Sequence, residues 1–129
     1  MEFEDFLSVN EDDVVISAAP TLVEKSESLN VFGYYFCIEN HSENKIQLIG
    51  KNWNISDDRG NSFSDDSVGF KGEIPELEPG EFFEFTSEAP LQSNNAVFYG
   101  SCKIASEKGI KDIKIPTFTF ATQGSVTMN

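Results

Sequence analysis

The residues most suggestive of chemistry form a glycine-punctuated loop, Ser67-Val68-Gly69-Phe70-Lys71-Gly72. Backbone amides in such a loop can form an anion-binding nest, to which a lysine adds positive charge. In dinucleotide-binding folds, related glycines open a helix whose N-terminal amides hold pyrophosphate. The candidate ligand-binding residues are Ser67, Gly69, Lys71 and Gly72.

The residues around this loop favour a structural role over an anion site. No helix start follows the loop, because Pro75 and the Pro79-Gly80 turn come next. Asp65, Asp66 and Glu73 flank a single lysine and leave the loop locally negative, which opposes a phosphate ligand. We therefore favour a crossover between strands and keep the ligand-binding loop as the alternative.

Catalytic residues are not evident in the chain. His41 is the single histidine and stands among turn-forming residues, which favours an exposed hairpin position. A histidine-based triad also needs a nucleophile, and neither a nucleophile elbow nor a cysteine-protease signature occurs. We expect a protein that is not an enzyme and needs no cofactor.

The acidic side chains offer oxygen ligands for a metal ion. The densest cluster of carboxylates is Asp57, Asp58, Asp65 and Asp66, whose spacing matches no EF-hand loop. No constellation of cysteine and histidine accompanies it, so a tight transition-metal site is not expected. Weak association with hydrated divalent cations stays open.

Charge narrows the class of partner. The 129 residues carry 22 acidic and nine basic side chains, for a formal net charge of −13. Such a molecule repels phosphate backbones and anionic lipid surfaces, so we expect neither nucleic acid nor membrane as a partner. Met1 to Asp13 lacks the basic residues of a secretory signal, and no apolar run approaches the ~20 residues of a membrane span. We expect a cytoplasmic protein, a monomer or weak homo-oligomer, whose partner is another protein.

Hydrophobic patterning predicts an all-β domain. From Val14 to Thr119, short β-rich runs alternate with turn clusters about every ten residues, as in sandwiches and barrels. Pro20 indicates a sheet edge or a bulge in the first of these strands. The predicted strands lie at about 14–24, 29–39, 45–56, 82–86, 96–105 and 111–120. We expect an acidic N-terminal arm over 1–13, the domain over 14–122 and a tail over 123–129.

Alternation within the strands predicts which side chains face the core. Phe32, Tyr34, Phe36 and Ile38 share one face of their strand, whereas Cys37 lies on the other. Cys102 points inward on its own strand with Phe98 and Ile104. The two sulfur atoms therefore fall on opposite sides of a sheet, and we expect free thiols.

Some aromatic residues point away from the predicted core. They are Tyr35, Phe82 and Tyr99, with Phe70 at the tip of the glycine-rich loop. Isolated exposed apolar residues are normal, but several of them in one patch would indicate a protein-binding face. These four residues are the candidate protein-interaction residues.

The stretch from Phe32 to Phe120 resembles the ApaG domain family, also called DUF525. The motifs that carry the resemblance are Ile38-Glu39-Asn40-His41-Ser42, Ile46-Gln47-Leu48, Trp53 with Ile55, the Asp58 to Gly60 turn, Gly69-Phe70-Lys71-Gly72-Glu73, Pro79-Gly80-Glu81, Phe83-Glu84-Phe85-Thr86-Ser87 and Ile115-Pro116 followed by Phe118. The glycine-rich loop of the family usually reads Gly-x-Gly-x-x-Gly, and Ser67 replaces the first glycine here.

The resemblance implies a two-sheet antiparallel sandwich of the fibronectin type III or immunoglobulin-like kind. The family is associated with cobalt and magnesium resistance, and its domains are also appended to eukaryotic F-box and polymerase-interacting proteins. That second context implies protein recognition. The expected function is therefore a non-catalytic binding module for another protein, with an indirect link to cobalt and magnesium homeostasis. The alternative is a small-molecule binding protein that holds pyrophosphate or a nucleotide at the glycine-rich loop.

Overall fold

A computed structural model describes residues 7–25, 30–70, 72–91 and 95–121. These residues form ten β-strands: β1 Leu7–Glu11, β2 Val14–Lys25, β3 Asn30–Asn40, β4 Ile46–Asp57, β5 Ser62–Asp65, β6 Glu76–Leu77, β7 Phe82–Leu91, β8 Asn95–Ser106, β9 Gly109–Lys114 and β10 Phe118–Ala121. The described part of the chain contains no helix, and hence none that could cross a bilayer.

The strands build two antiparallel sheets. One has four strands in the order β1-β2-β3-β7, and the other has six, with the path β10-β8-β4-β5 and with β6 on β4 and β9 on β8. The apolar faces of the two sheets meet in one core, so the predicted all-β sandwich is confirmed. Phe36 is fully buried, and its ring stacks on that of Trp53 at a centroid distance of 4.4 Å.

The four-stranded sheet begins earlier in the chain than the sequence predicted. Part of the expected acidic arm, Leu7–Glu11, forms β1 and pairs with β2. Residues 1–6 and the expected tail, 123–129, lie outside the described residues, and the domain bounds stay a prediction. The register of β2 against β3 shifts between Pro20 and Leu22. Of the two alternatives for Pro20, a sheet edge or a bulge, the structure therefore shows the bulge.

The last predicted strand is in fact two strands. Both β9 and β10 pair with β8, and the ladder is interrupted between them at Pro116, which has no N–H to donate. The interruption lies beside Gly100, which has φ 148°. A Cβ there would collide with the carbonyl oxygen of Asn52, so this close approach of β8 to β4 requires glycine.

Both cysteines are free thiols, as expected. Cys102 is fully buried in the core, whereas Cys37 lies on the opposite side of the four-stranded sheet and is 9% exposed. The prediction that the two sulfur atoms lie on opposite sides of a sheet is therefore confirmed.

Candidate functional site

A β-bulge in β4 places a lysine inside the sandwich. The register of β4 against β8 shifts between Leu48 and Gly50, so the inward positions change from even to odd residue numbers. Leu48 faces the core before the bulge, and Lys51 and Trp53 face it afterwards. Lys51 is 8% exposed, which is unusual for a lysine.

The ammonium group of Lys51 is held by the glycine-rich loop and by two rings. Nζ donates hydrogen bonds to Ser67 Oγ and to the carbonyl oxygen of Gly69, both at 2.8 Å. The same atom lies 5.1 Å from the ring centroid of Phe70 and 5.7 Å from that of Trp53. These acceptors and π faces stabilise a charge that burial would otherwise penalise.

The loop itself is hydrogen-bonded along the edge of β4. The amide of Gly69 donates to Ile49 O at 2.6 Å, and the amides of Phe70 and Glu73 donate to each other's carbonyl oxygens at 2.7 and 3.1 Å. Gly69 has φ 75°, and a Cβ there would collide with the Glu73 carbonyl. Two amides of the candidate anion nest, those of Gly69 and Phe70, therefore already have partners within the protein.

The loop and β7 form the two sides of a cleft of about 270 Å³. Among the described residues that line this cleft, the cation is Lys51. The sequence had indicated Lys71, which lies outside the described residues. Ser67 Oγ accepts a hydrogen bond from Lys51 Nζ, and Gly72 is exposed on the rim of the cleft. A ligand role for Ser67, Gly69, Lys71 and Gly72 stays a prediction.

Phe70 does not lie at an exposed loop tip. It is 1% exposed, and its ring meets those of Trp53, Phe83 and Phe85 at centroid distances of 5.6 to 5.8 Å. The expectation that its ring is exposed at the loop tip is wrong, because the hydrogen bonds between Phe70 and Glu73 turn the loop back and direct the ring into the core.

Phe82 and Tyr35 lie on the outer face of the four-stranded sheet. Phe82 is 58% exposed and stands directly opposite Glu39, while Glu84 stands opposite the outward Cys37. Residues directly opposite each other in an antiparallel pair project to the same side. We call Phe82, Tyr35, Glu39, Glu84 and Glu88 the acidic face.

Hydrogen bonds fix the polar groups of the acidic face. The Tyr35 hydroxyl donates to Glu84 Oε2 at 2.7 Å, and burial together with this carboxylate raises the pKa of the Tyr35 phenol. His41 Nε2 lies 2.7 Å from Glu39 Oε1. Hydrogen bonds thus hold the carboxylates of Glu39 and Glu84.

Tyr99 lies on the opposite surface of the molecule. It is 41% exposed on the outer face of the six-stranded sheet, where it pairs with Asn54, and Val97 pairs with both Ser56 and Thr119. The outward aromatics therefore belong to two surfaces and form no single patch. We call the second surface the Tyr99 face; it comprises Asn52, Asn54, Ser56, Val97, Tyr99 and Thr119, and Lys114 lies on the same side opposite Ser101.

Reactive groups are poorly placed for chemistry. Burial raises the pKa of the Cys102 thiol to about 12, and burial also raises that of Cys37, so both favour the unreactive protonated form. Among the described residues, no group of three or more histidine, cysteine, aspartate or glutamate side chains could hold a metal ion.

Two features were missed in the sequence, and one of them carried a signal. Ile46 and Leu48 are even-numbered, whereas Trp53 and Ile55 are odd-numbered, so one strand with all four buried must contain a bulge. That bulge would have placed Lys51 inward. The Tyr99 face had no such signal, because its members come from separate strands that only the sheet brings together.

Comparison with known proteins supports the resemblance. The family model described as "DUF525: ApaG domain" matches residues 20–106. The chain is 32% identical over 123 residues to "Protein ApaG" of Sinorhizobium fredii, covering 91% of this chain and 95% of that protein. It is 31% identical to "Protein ApaG" of Caulobacter vibrioides, covering 88% and 84%.

Solved structures share the fold. A crystal structure of a protein from Bordetella pertussis matches with a TM-score of 0.79 at 28% identity, covering 89% of this chain and 98% of that one. An X-ray structure from the Northeast Structural Genomics Consortium matches with a TM-score of 0.83 at 24% identity, covering 94% and 95%.

Proposed function

The chain belongs to the ApaG domain family, and from that premise we propose that it is a non-catalytic module that binds another protein through its acidic face. The observation that carries the proposal is Phe82, a large aromatic side chain that is 58% exposed among carboxylates on the outer face of the four-stranded sheet. Aromatic residues are enriched where proteins bind one another.

The chemistry of the acidic face selects a basic partner segment. Glu39, Glu84 and Glu88 project from the same side of the sheet as Phe82 and Tyr35. A lysine or arginine of a partner can lie over an aromatic ring and pair with a neighbouring carboxylate. The net charge of −13 accelerates the approach of such a partner at low ionic strength.

Rigidity of the face supports recognition over catalysis. The bond from Tyr35 to Glu84 holds two of its polar groups in fixed positions, which lowers the entropy lost on binding.

The two thiols carry raised pKa values, which is the reverse of what an activated nucleophile needs. We place the protein in the cytoplasm, where such thiols stay reduced, and link it to cobalt and magnesium homeostasis only through its partner.

Affinity capture with matched variants tests the proposal. Immobilised wild-type protein, Phe82→Ala and Tyr99→Ala are each incubated with a lysate of cells that naturally produce the protein. We expect a partner retained by wild type and Tyr99→Ala and reduced at least about fivefold by Phe82→Ala, the usual effect of losing an interface anchor. Retention should fall when the salt concentration rises. Identical capture by all three proteins would count against the acidic face.

A further inference from the structure

We propose that a cavity at one end of the sandwich binds a free α-amino acid with an aliphatic side chain. The cavity lies where the β1–β2 turn, the β3–β4 loop and the β8–β9 hairpin meet, and its volume is about 210 Å³. A cavity of about 150 Å³ holds benzene, which has six heavy atoms, so this one suits a ligand of about eight or nine, such as valine or leucine. No described residue that lines the cavity belongs to the acidic face, so the site is independent of the protein partner proposed above.

Branched aliphatic side chains form the floor of the cavity. Val14, Ile46, Ile104 and Ile113 come from four different strands, and each is 4% exposed or less. Ile110 also lines the cavity and is 66% exposed, so it extends the apolar surface to the rim. No aromatic ring is among the described lining residues. A branched aliphatic side chain that enters the cavity therefore leaves water for a surface of its own kind.

Two groups of opposite charge lie at the mouth of the cavity and are available to a ligand. Lys108 is exposed and forms no ion pair with any residue that the structure describes. Asp12 accepts from Lys111 through Oδ2, whereas its Oδ1 has no hydrogen bond within the described ranges. The hydrogen bond and charge of Lys111 lower the pKa of Asp12 most, and the charge of Lys108 lowers it further, which places the two groups near each other. A ligand carboxylate can pair with Lys108 while its ammonium donates to Asp12.

The balance of charge selects a ligand that carries both signs. Lys111 Nζ lies 2.8 Å from Glu11 Oε2 and 2.5 Å from Asp12 Oδ2. With Lys108 these groups make two cations and two carboxylates, so the mouth has no net charge. An aliphatic acid would leave Asp12 facing its carboxylate, and an aliphatic amine would leave Lys108 facing its ammonium. A zwitterion avoids both repulsions.

The backbone fixes the carboxylate before a ligand arrives. Asp12 and Asp13 form the two-residue turn between β1 and β2, and their φ angles are 56° and 64°. Aspartate adopts this left-handed conformation more readily than most residues, and tight hairpin turns require it. The Asp13 carbonyl accepts from the His41 amide at 2.8 Å, and Lys111 holds the Asp12 carboxylate. Little conformational freedom of the turn is therefore lost on binding.

Nuclear magnetic resonance of the full chain, with carbon-13 in its isoleucine methyl groups, tests the proposal. L-Leucine is the probe, and the methyl signals of Ile46, Ile104 and Ile113 report on the cavity. Isocaproate lacks the ammonium of leucine, isoamylamine lacks its carboxylate, and glycine lacks its side chain. Lys108→Met removes the cation. Lys103→Met is the matched control, because Lys103 is exposed in an ion pair with Asp112 and does not line the cavity. Circular dichroism establishes that each variant is folded.

We expect leucine to shift these three methyl signals with a dissociation constant below about 10 mM. Isocaproate and isoamylamine should each bind at least about fivefold more weakly, because each loses one charge-assisted contact, and glycine should shift none of the three signals. Lys108→Met should weaken leucine binding at least about fivefold, and Lys103→Met less than about twofold. Leucine that leaves the three signals unchanged would overturn the proposal. Equal binding of leucine and either fragment, or equal weakening by the two variants, would overturn it too.

Discussion

Replacing Lys51 by methionine removes the buried charge and keeps an unbranched side chain of similar length. The substitution loses two charge-assisted hydrogen bonds, to Ser67 Oγ and to the Gly69 carbonyl, each at 2.8 Å. It also loses the attraction of the ammonium to the rings of Trp53 and Phe70 and to the Asp65 carboxylate, whose Oδ2 lies 3.8 Å from Nζ. Against these losses stands the desolvation of the ammonium, which costs several kcal/mol and is no longer incurred.

The net effect depends on what the substitution leaves behind. The Gly69 carbonyl loses the donor that Lys51 supplied, and a buried acceptor without a partner costs about 1–3 kcal/mol. If the other gains and losses nearly cancel, Lys51→Met should lower the free energy of unfolding by about 1–3 kcal/mol. Lys103→Met is the control, because this lysine is 48% exposed in its ion pair with Asp112. Its loss should cost less than about 1 kcal/mol.

Urea unfolding followed by fluorescence measures both values. Trp53 is the only tryptophan and is 3% exposed, so its emission should change when the sandwich opens. The midpoint and slope of the transition give the free energy of unfolding. A Lys51→Met protein as stable as wild type, or more stable, would refute the view that this lysine attaches the glycine-rich loop to the sheet.

Three further predictions concern the core, one ion pair, and whether phosphate compounds or Mg²⁺ bind to the protein. Phe70→Ala should lower the free energy of unfolding by about 3–5 kcal/mol and Phe82→Ala by less than about 1 kcal/mol, because only the first ring is buried; equal values in urea unfolding would contradict this. The hydrogen bond and charge of Lys111 hold the pKa of the Asp12 carboxyl below its usual 3.8, so the stabilisation is present above that pH and is lost as the pH falls through the lowered pKa. In Lys111→Met, a carbon-13 NMR titration should find the Asp12 pKa returned towards 3.8, and an unchanged value would exclude the lysine as the cause. Pyrophosphate, ATP and Mg²⁺ should each leave thermal unfolding unchanged, whereas a ligand at a hundred times its dissociation constant would stabilise the fold by about 2.7 kcal/mol.

The core could be predicted from the sequence because its signal is local. Alternation in β3 alone identified Phe32, Tyr34, Phe36 and Ile38, and all four are buried. The same rule separated Cys37 from the core. Period-two alternation is a property of one strand, so it needs no knowledge of which strands are neighbours.

The candidate site was harder to predict because it depends on irregular backbone. The ring of Phe70 is buried because the loop turns back on itself between Phe70 and Glu73, which residue types do not specify. Lys51 is buried because a bulge changes the parity of β4. Tyr99 and Phe82 both pointed outward as expected, yet only the assignment of strands to sheets shows that they serve opposite surfaces.

Capture of the protein partner by Phe82→Ala and by Tyr99→Ala tests the acidic face most directly, because the two side chains lie on the outer faces of different sheets. Circular dichroism establishes that both variants are folded. We expect Phe82→Ala to lose the partner and Tyr99→Ala to retain it. Equal capture by the two variants would contradict the assignment of the partner to the acidic face.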